Sequence, residues 1–323
     1  MITVKRIIIL AVFLLLIGII GMVTTFSSYK QSASYEESES IPLDANEISE
    51  IEVDAENTQV RLHPADEKEP KADYTATGRK AETQELLTSI DGEKLTIQIK
   101  ETPFSFFDFD FLFRSNATLD IFIPEDMMES IDVKTSNSKI SAADLQIDEL
   151  QLRTSNGRIE GNHIEASSID MQSSNGKIIL ENTQGDVYVK TSNSKITLDH
   201  IIGDVTANTS NGKIEITAIQ GTANAETTNG KIEAYYISGE MKAKTNNAAI
   251  HIETERFDYP MDLQTSNGKI NINSEQEPEN ATLDLRTNNG TIRVFDSKEW
   301  DVTYGDGETL IKATTNNGRI AIE

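Results

Sequence analysis

The segment Thr209–Ile232 reads TSNGKIEITAIQGTANAETTNGKI and shows the unit that builds most of the chain. In Ile214–Thr217 (IEIT) and Ala223–Glu226 (ANAE), apolar residues alternate with polar ones. Alternation with period two is typical of a β-strand that has one face in a core and one face in water. The Asn-Gly pair between such segments favours a tight turn, because both residues tolerate positive φ. The segment therefore predicts a strand, a turn and a second strand.

A hexapeptide of the type TSNGKI recurs ten times after position 130. The copies begin at Thr135, Thr154, Ser173, Thr191, Thr209, Thr227, Thr245, Thr265, Thr287 and Thr315. Their intervals are 19, 19, 18, 18, 18, 18, 20, 22 and 28 residues, and the sixth residue is Ile in every copy. A regular period of this length is the signature of a stacked repeat architecture.

Two architectures can use this unit. A meander of ten hairpins would place about 20 strands in one sheet, whereas open twisted sheets rarely exceed ~10 strands. In a β-solenoid, each coil turns at Asn-Gly and again near a second glycine, as at Gly185, Gly203, Gly221 and Gly239. Neighbouring coils then stack their aliphatic columns in a common core. We therefore predict an all-β, single-stranded, right-handed β-solenoid of about ten coils of ~18 residues over residues 131–323.

Every copy of the hexapeptide contributes one asparagine to the same column. The column comprises Asn137, Asn156, Asn175, Asn193, Asn211, Asn229, Asn247, Asn267, Asn289 and Asn317. Because stacked amides can donate and accept along a column, we predict that they hydrogen-bond from coil to coil at a buried corner.

The N-terminus contains an apolar run at residues 7–26. A helix of about 20 residues is long enough to cross a bilayer, so the run predicts an uncleaved transmembrane anchor. The preceding residues 1–6 carry Lys5 and Arg6, which favour a cytoplasmic tip and an extracellular C-terminal domain. The alternative is a cleaved signal peptide, with 32–34 (SAS) as its weak cleavage site.

Two further regions separate this anchor from the repeats. Residues 27–46 are rich in Ser and Glu and lack apolar periodicity, which predicts a flexible polar stalk. Residues 47–130 contain irregular strand patterns such as EKLTIQIK at 93–100. We predict that they form an irregular β cap, because the terminal units of a solenoid are atypical.

At this point the sequence resembles a known family. LDIFIP (Leu119–Pro124), then SIDV (Ser130–Val133), then tandem TSNGKI units are similar to the bacterial "putative adhesin" β-strand-repeat family of unknown function. With its single N-terminal anchor, the chain is similar to the LiaG-type membrane proteins of Gram-positive bacteria. The resemblance covers about residues 45–323. It implies an extracellular, right-handed solenoid-like domain at the cell envelope, with a role in adhesion or in the envelope-stress response, and it supplies no catalytic residues.

Composition excludes several classes of function. The chain has 53 acidic and 29 basic residues, a net charge of −24, and no cysteine. The acidic balance argues against a duplex nucleic-acid partner, because binding to phosphate needs a basic face. Without cysteine, the chain has no disulfide, thiolate metal site or cysteine nucleophile. Its four histidines share no ligand spacing and no GxSxG elbow occurs, so we predict no metal, cofactor or catalytic site. A carbohydrate-active β-helical enzyme is the rival interpretation, but its coils would not be nearly interchangeable.

The residue after Asn-Gly or Asn-Ser is basic in eight of the ten copies. These residues are Lys139, Arg158, Lys177, Lys195, Lys213, Lys231, Lys269 and Arg319, here called the basic column. In a solenoid they would lie about 5 Å apart along one side of an acidic rod, where they could follow an anionic wall polymer. Alternatively, they keep the turn soluble and block sheet-to-sheet association, and Glu160, Glu215 and Glu233 would neutralise part of their charge.

A second candidate is the Phe-rich segment TPFSFFDFDFLFR. Its phenylalanines are Phe104, Phe106, Phe107, Phe109, Phe111 and Phe113. Part of the segment alternates with Asp108 and Asp110, which is typical of a cap strand that buries its Phe face. If exposed instead, the segment would contact the membrane or a protein partner.

These features support three hypotheses of function. The first is a non-catalytic envelope protein that displays a rigid surface to wall polymer, to an envelope protein or to a neighbouring cell. The second is a sensor that binds a membrane partner through the cap and the Phe-rich segment. The third is the carbohydrate-active enzyme.

Overall fold

A computed structural model describes residues 11–22, 36–43, 48–65, 70–78, 80–101, 116–124, 128–295 and 301–323. The described chain is all-β apart from two helices, α1 (11–22) and α2 (Lys80–Thr83). The strands are β1 (Glu36–Pro42), β2 (Glu50–Ala55), β3 (Gln59–Pro64), β4 (Lys71–Thr77), β5 (Gln84–Asp91), β6 (Lys94–Glu101), β7 (Asn116–Ile123), β8 (Ser130–Thr135), β9 (Ile140–Thr154), β10 (Ile159–Ser173), β11 (Ile178–Thr191), β12 (Ile196–Ile202), β13 (Val205–Thr209), β14 (Ile214–Gln220), β15 (Ala223–Thr227), β16 (Ile232–Ser238), β17 (Met241–Thr245), β18 (Ile250–Thr254), β19 (Met261–Thr265), β20 (Ile270–Ser274), β21 (Ala281–Thr287), β22 (Ile292–Val294), β23 (Asp301–Thr303), β24 (Thr309–Thr315) and β25 (Ile320–Ile322).

Strands of successive repeats pair in parallel and in register. Val205 lies opposite Ala223, which lies opposite Met241, so one repeat stacks on the next at the same column. The strands that follow the Asn-Gly turn behave alike, since Ile214 pairs with Ile232. This pairing confirms the predicted solenoid-like stack and excludes the meander, in which neighbouring strands would be antiparallel. The right-handed sense of the coils stays a prediction.

Each coil contributes one strand to each of two sheets. The leading sheet contains the strands that precede the Asn-Gly turn, such as β13, β15 and β17. The trailing sheet contains the strands that follow it, such as β12, β14 and β16. The long strands β9, β10 and β11 contribute their first half to the trailing sheet and their second half to the leading sheet.

The core is a set of apolar columns between the two sheets. The sixth residue of the hexapeptide forms the most regular column, with Ile196, Ile214, Ile232 and Ile250 all at 0% exposure. Met241 and Ala243 supply the facing columns of the leading sheet. Because each column repeats one residue type, neighbouring coils interdigitate in the same way along the whole stack.

The region predicted as an irregular cap is more regular than expected. β2 and β3 form a complete coil, in which Ile51 pairs with Ile131 and Val60 pairs with Ile140. β6 and β7 form another coil outside it, since Ile51 also pairs with Leu95. The described part of 47–130 therefore adds two coils to the ten that carry the hexapeptide. Each antiparallel pair in this described region involves β1, β4 or β5, and these three strands close this end of the stack.

The order of coils in space differs from their order in the chain at both ends. The last coil, β24 and β25, lies between the coil of β19 and β20 and the coil of β21 and β22. Likewise, the coil of β2 and β3 lies between the coil of β6 and β7 and that of β8 and β9. At each end of the stack, the second coil from the end therefore comes from another part of the sequence than its two neighbours.

The predicted anchor is only partly described. α1 covers 11–22 and its side chains are exposed, while residues 7–10 and 23–26 lie outside the described residues. Within the described part of the chain, no helix has both the length and the apolar character needed to cross a membrane. The transmembrane anchor stays a prediction. The stalk predicted for residues 27–46 is not flexible throughout, because its residues 36–42 form β1, which pairs with β4.

Candidate functional site

The Asn-Gly corner of the stack is held by a ladder of side-chain amides. Each Nδ2 donates to the Oδ1 of the neighbouring coil, for example from Asn211 to Asn193 and from Asn229 to Asn211, both at 2.8 Å. All ten asparagines of the predicted column take part, and the ladder continues to Asn57 in the coil of β2 and β3. Asn57 then donates to Glu101 at 2.5 Å. The ladder therefore runs in one direction along the stack.

The position of this corner differs from the prediction. Asn156, Asn211 and Asn229 are exposed, as are the other asparagines of the hexapeptides, so the ladder runs along a solvated edge. The turn ends the alternation of buried and exposed residues, and the Asn side chains lie outside the two sheets. The amide ladder forms as predicted, but at an exposed corner.

The buried polar column at this corner consists of hydroxyl groups. Thr227 is 3% exposed; its Oγ1 donates to the backbone oxygen of Gly212 at 3.3 Å and accepts from the backbone N–H of Gly230 at 3.1 Å. Thr245 makes the matching contact to Gly230 at 3.0 Å. These hydroxyls satisfy backbone groups of two successive coils where water is excluded, and so fix the corner.

The second corner lies near the predicted glycines. Gly185, Gly203 and Gly221 have φ of 137°, 142° and 150°, a region that side chains rarely adopt. A Cβ at Gly221 would lie 2.3 Å from the backbone oxygen of Gly203, so each glycine also permits close stacking. The chain turns back to the leading sheet here, as the sequence predicts.

The basic column lies on the outward surface of the trailing sheet, beside the Asn-Gly corner. Most cations of the column form ion pairs with carboxylates of the same or the adjacent coil. Glu160 lies 2.5 Å from Lys139 and 2.8 Å from Arg158. Glu215 lies 3.0 Å from Lys195 and 2.5 Å from Lys213.

Glu233 continues this pattern. It pairs with both Lys213 and Lys231, and its side chain is only 11% exposed. Near the other end, Arg319 pairs with Glu323 at 2.8 Å. Lys177 and Lys269 have no ion pair with a described carboxylate. The basic column is therefore a ladder of alternating charge, with uncompensated charge at two positions.

The pKa values of this ladder reflect the pairing. Burial raises the pKa of Glu233, but hydrogen bonds from Lys213, Lys231 and Tyr235 outweigh it and lower the pKa to about 2. The hydrogen bond from Lys213 is the main cause that lowers the pKa of Glu215. Burial lowers the pKa of Lys213, but its hydrogen bonds to Glu215 and Glu233 outweigh burial and raise it. At neutral pH Glu233, Glu215 and Lys213 are therefore charged.

The depressed pKa of Glu233 predicts acid sensitivity. Because its pKa falls from 4.5 to about 2 on folding, its contribution to stability is complete above pH 4.5 and is lost as the pH falls towards 2. We expect Glu233→Gln to lower the free energy of unfolding at pH 7 by about 2–3 kcal/mol and to flatten its decline at acid pH. Urea unfolding between pH 7 and pH 2 measures both effects.

The control for this prediction is Glu226→Gln, which removes an exposed ion pair with Lys244 and should change neither the free energy of unfolding at pH 7 nor its decline at acid pH. An unaltered acid profile in Glu233→Gln would contradict the assignment.

Other candidate residues are dispersed or undescribed. The Phe-rich segment lies within residues 102–115, which are outside the described residues and connect β6 to β7. His163 and His200 lie at the second corner, whereas His63 lies on β3 and His251 on β18. Among the residues that the structure describes, no group of three or more His, Asp or Glu is placed to hold a metal ion.

A family model agrees with this architecture. The model described as Toastrack DUF4097 matches residues 48–233 and 182–323, which together cover both sheets of the stack. The chain belongs to the Toastrack DUF4097 family. The adhesin-like repeat family inferred from the sequence is thereby confirmed, whereas the narrower likeness to LiaG-type proteins stays a prediction. No curated protein matches this Toastrack chain.

Several solved structures are similar to this Toastrack chain. One is a "putative adhesin" from Bacteroides fragilis, with 11% identity, coverage of 90% of this chain and 99% of that chain, and a TM-score of 0.39. Another is a "putative adhesin" from Parabacteroides merdae, with 11% identity, coverage of 75% and 96%, and a TM-score of 0.40. A "putative lipid binding protein" from Parabacteroides distasonis has 12% identity, coverage of 90% and 98%, and a TM-score of 0.36. Since all three TM-scores are below 0.5, the family assignment rests on the sequence match.

Sequence reasoning missed one feature of the Toastrack stack. At the second corner, a non-glycine residue has positive φ in six successive coils. This column comprises Asp144, His163, Asn182, His200, Ala218 and Tyr236, with φ between 51° and 56°. The residue types vary, so the sequence repeat gives no signal; only the fixed distance of four residues after the Ile column could have located it.

Proposed function

We propose that this protein is a non-catalytic, membrane-anchored rod of the bacterial cell envelope that displays a binding surface outside the cell. The observation that carries the proposal is the uninterrupted stack, in which coil after coil presents the same outward columns. Twelve coils at the ~4.8 Å spacing of neighbouring strands give a rod on the order of 55 Å long. The apolar run at residues 7–26 precedes the end of the stack closed by β1, so the rod would stand on the membrane by that end.

The ligand that we propose for the basic column is an anionic wall polymer. Eight cations lie along one edge of the trailing sheet, six of them in successive coils. Lys177 and Lys269 lack a described carboxylate partner. Five of the remaining cations share carboxylates such as Glu215 with their neighbours, and Arg319 pairs with Glu323. A polyanion would therefore compete with these carboxylates for the cations. For this reason we expect the polyanion to bind weakly and with a strong dependence on salt concentration.

Charge reversal on one sheet tests the proposal. We expect the variant with Lys177, Lys195, Lys213 and Lys231 replaced by Glu to lose roughly tenfold or more of its retention on purified wall polymer. The matched control reverses four exposed lysines of the leading sheet, Lys134, Lys190, Lys242 and Lys244, which makes the same change in net charge. Circular dichroism checks that both variants keep their β-structure. A third variant replaces the same four trailing-sheet lysines by Gln, which removes their positive charge without adding negative charge. Loss of retention in this variant as well shows that the loss does not come from repulsion that disturbs folding.

Equal retention of the two charge-reversal variants would discard polymer binding through the basic column. A sensor role through the Phe-rich segment stays the alternative, because β6 and β7, which flank that segment, lie at the end of the stack nearest the predicted anchor. Loss of envelope-stress signalling on replacement of Phe107, Phe109 and Phe111 by Ser, with the β-structure intact, would favour that role.

A further inference from the structure

The second corner of the stack contains a groove that the proposed function does not use. The groove has a volume of about 490 Å³ and opens at the edge of the trailing sheet opposite the Asn-Gly corner. Two parallel columns line it: one contains His200, Ala218 and Tyr236, and the other contains Gln184, Ile202 and Gln220. The pairing of the coils places successive members of each column side by side.

The centre of the groove is the space above Ala218, between His200 and Tyr236, which we call the slot. His200 and Tyr236 lie two coils apart, which corresponds to about 9.6 Å at the usual strand spacing, and Ala218 occupies the coil between them. Both rings reach solvent, since the His200 side chain is 64% exposed and Tyr236 is 41% exposed. A flat ring needs about 3.5–4 Å on each side for van der Waals contact, so a ring of ligand size fits between them above the methyl group of Ala218.

The residues that line the slot have a backbone conformation that usually favours glycine, yet they carry side chains. His200, Ala218 and Tyr236 have φ of 53°, 52° and 56°, where glycine would be favoured. Glycine does occur three residues further on, at Gly203 and Gly221, where a Cβ would collide with the adjacent coil. The chain thus uses glycine where packing demands it and retains side chains at the strained positions.

The polar groups of the groove determine the class of ligand. Gln184 and Gln220 provide amides that both donate and accept hydrogen bonds, as a sugar hydroxyl also does. Ile202, 50% exposed, and the Tyr236 ring provide apolar surfaces for the C–H face of a pyranose. Among the described residues, no Lys or Arg lines the groove, whereas Glu165 does, and the carboxylate of Glu253 lies 3.4 Å from the Tyr236 hydroxyl. An anionic ligand would therefore be repelled.

We propose that the groove between His200 and Tyr236 binds a neutral saccharide, with one pyranose ring in the slot above Ala218. Gln184 and Gln220 hydrogen-bond its hydroxyl groups, and Ile202 contacts its apolar face. The site lies on a different part of the stack from the basic column, so the failure of either proposal leaves the other standing.

An array of neutral oligosaccharides of varied composition and linkage tests this inference. The full chain is applied in a detergent that has no sugar headgroup, and the affinity for the best-bound oligosaccharide is then measured by saturation-transfer NMR. We expect Tyr236→Ala to weaken binding roughly tenfold by loss of ring stacking. Ala218→His should abolish binding because it fills the slot with a residue that the stack accepts at the same position in neighbouring coils. Tyr188→Ala, which removes an exposed ring of the leading sheet, is the matched control and should leave binding unaltered.

Ala218→Gly keeps the inference testable if Ala218→His proves unstable. It leaves the slot open and relieves the positive φ, so we expect binding to be retained and the melting temperature to rise. Three results would overturn the inference: no neutral oligosaccharide is bound, binding is the same in Tyr236→Ala, or the groove takes spermidine in preference to every neutral oligosaccharide.

Discussion

Replacement of Gly230 by Ala is expected to destabilise the stack by about 4 kcal/mol or more, which is exceptional for the addition of one methyl group. A Cβ at this position would lie 1.6 Å from the backbone oxygen of Gly212 and 3.0 Å from Oγ1 of Thr227. The oxygen belongs to the backbone of the adjacent coil, so no side-chain rotation can relieve the collision. The two coils must separate, and the hydrogen bonds of Thr227 to Gly212 and from Gly230 would then be strained or lost.

Urea unfolding measures this effect, and Gly92→Ala provides the control. Gly92 lies in the turn between β5 and β6, and nothing lies within 4 Å of a Cβ built there. Its φ of +61° still disfavours Ala, which predicts a loss of about 1–2 kcal/mol. Similar losses in Gly230→Ala and Gly92→Ala would show that backbone conformation, and not the close approach of coils, explains the glycine of the hexapeptide.

Deletion of residues 309–323 is expected to unfold more of the chain than the deleted segment itself. This last coil lies between two others and buries Ile311, Ile320 and Ile322 at 0% exposure. Burial of each of these side chains contributes about 1.5–3 kcal/mol. Without them, β21 and β22 lose their parallel partners and their contact with the rest of the stack. We therefore expect residues 281–294 to lose hydrogen-exchange protection completely.

A longer deletion provides the control for this prediction. Removal of residues 275–323 takes away both terminal coils and leaves the coil of β19 and β20 as an intact end. Because each coil of a repeat protein contacts only its neighbours, the remaining coils should keep their exchange protection. If residues 281–294 stay protected after deletion of 309–323, then β21 and β22 do not depend on the inserted coil.

The sequence predicts the repeat unit well because it contains two periods, one of two residues along each strand and one of about 18 residues between hexapeptides. Alternation along each strand identifies the buried columns, and the recurrence of the hexapeptide identifies the stack. The same alternation contains the signal for the buried threonines: Thr135 follows Val133 and Ile131 at steps of two, and all three are buried. The exposed position of Asn137 could not be inferred in this way, since the turn interrupts the alternation before it.

The order of the terminal coils is beyond sequence reasoning for a physical reason. Ile320 pairs equally well with Ile270 and with Ile292, because all three belong to the same column. Identical columns fix the register of a coil but not the identity of its neighbour. The interval of 28 residues before the last hexapeptide shows only that the chain has enough length to pass over one coil. The slot above Ala218 is equally hidden, because it depends on a backbone conformation that varied residue types share.

The one-way run of amides from Asn289 to Glu101 has a consequence for how such proteins change in size. Every asparagine between the two ends donates once and accepts once, so one more coil, or one fewer, leaves no amide without a partner. Duplication of 18 residues, such as 209–226, should therefore yield a folded protein about 4.8 Å taller. The height of the stack is thus set by the number of coils alone, and a duplicated variant that failed to fold would refute this.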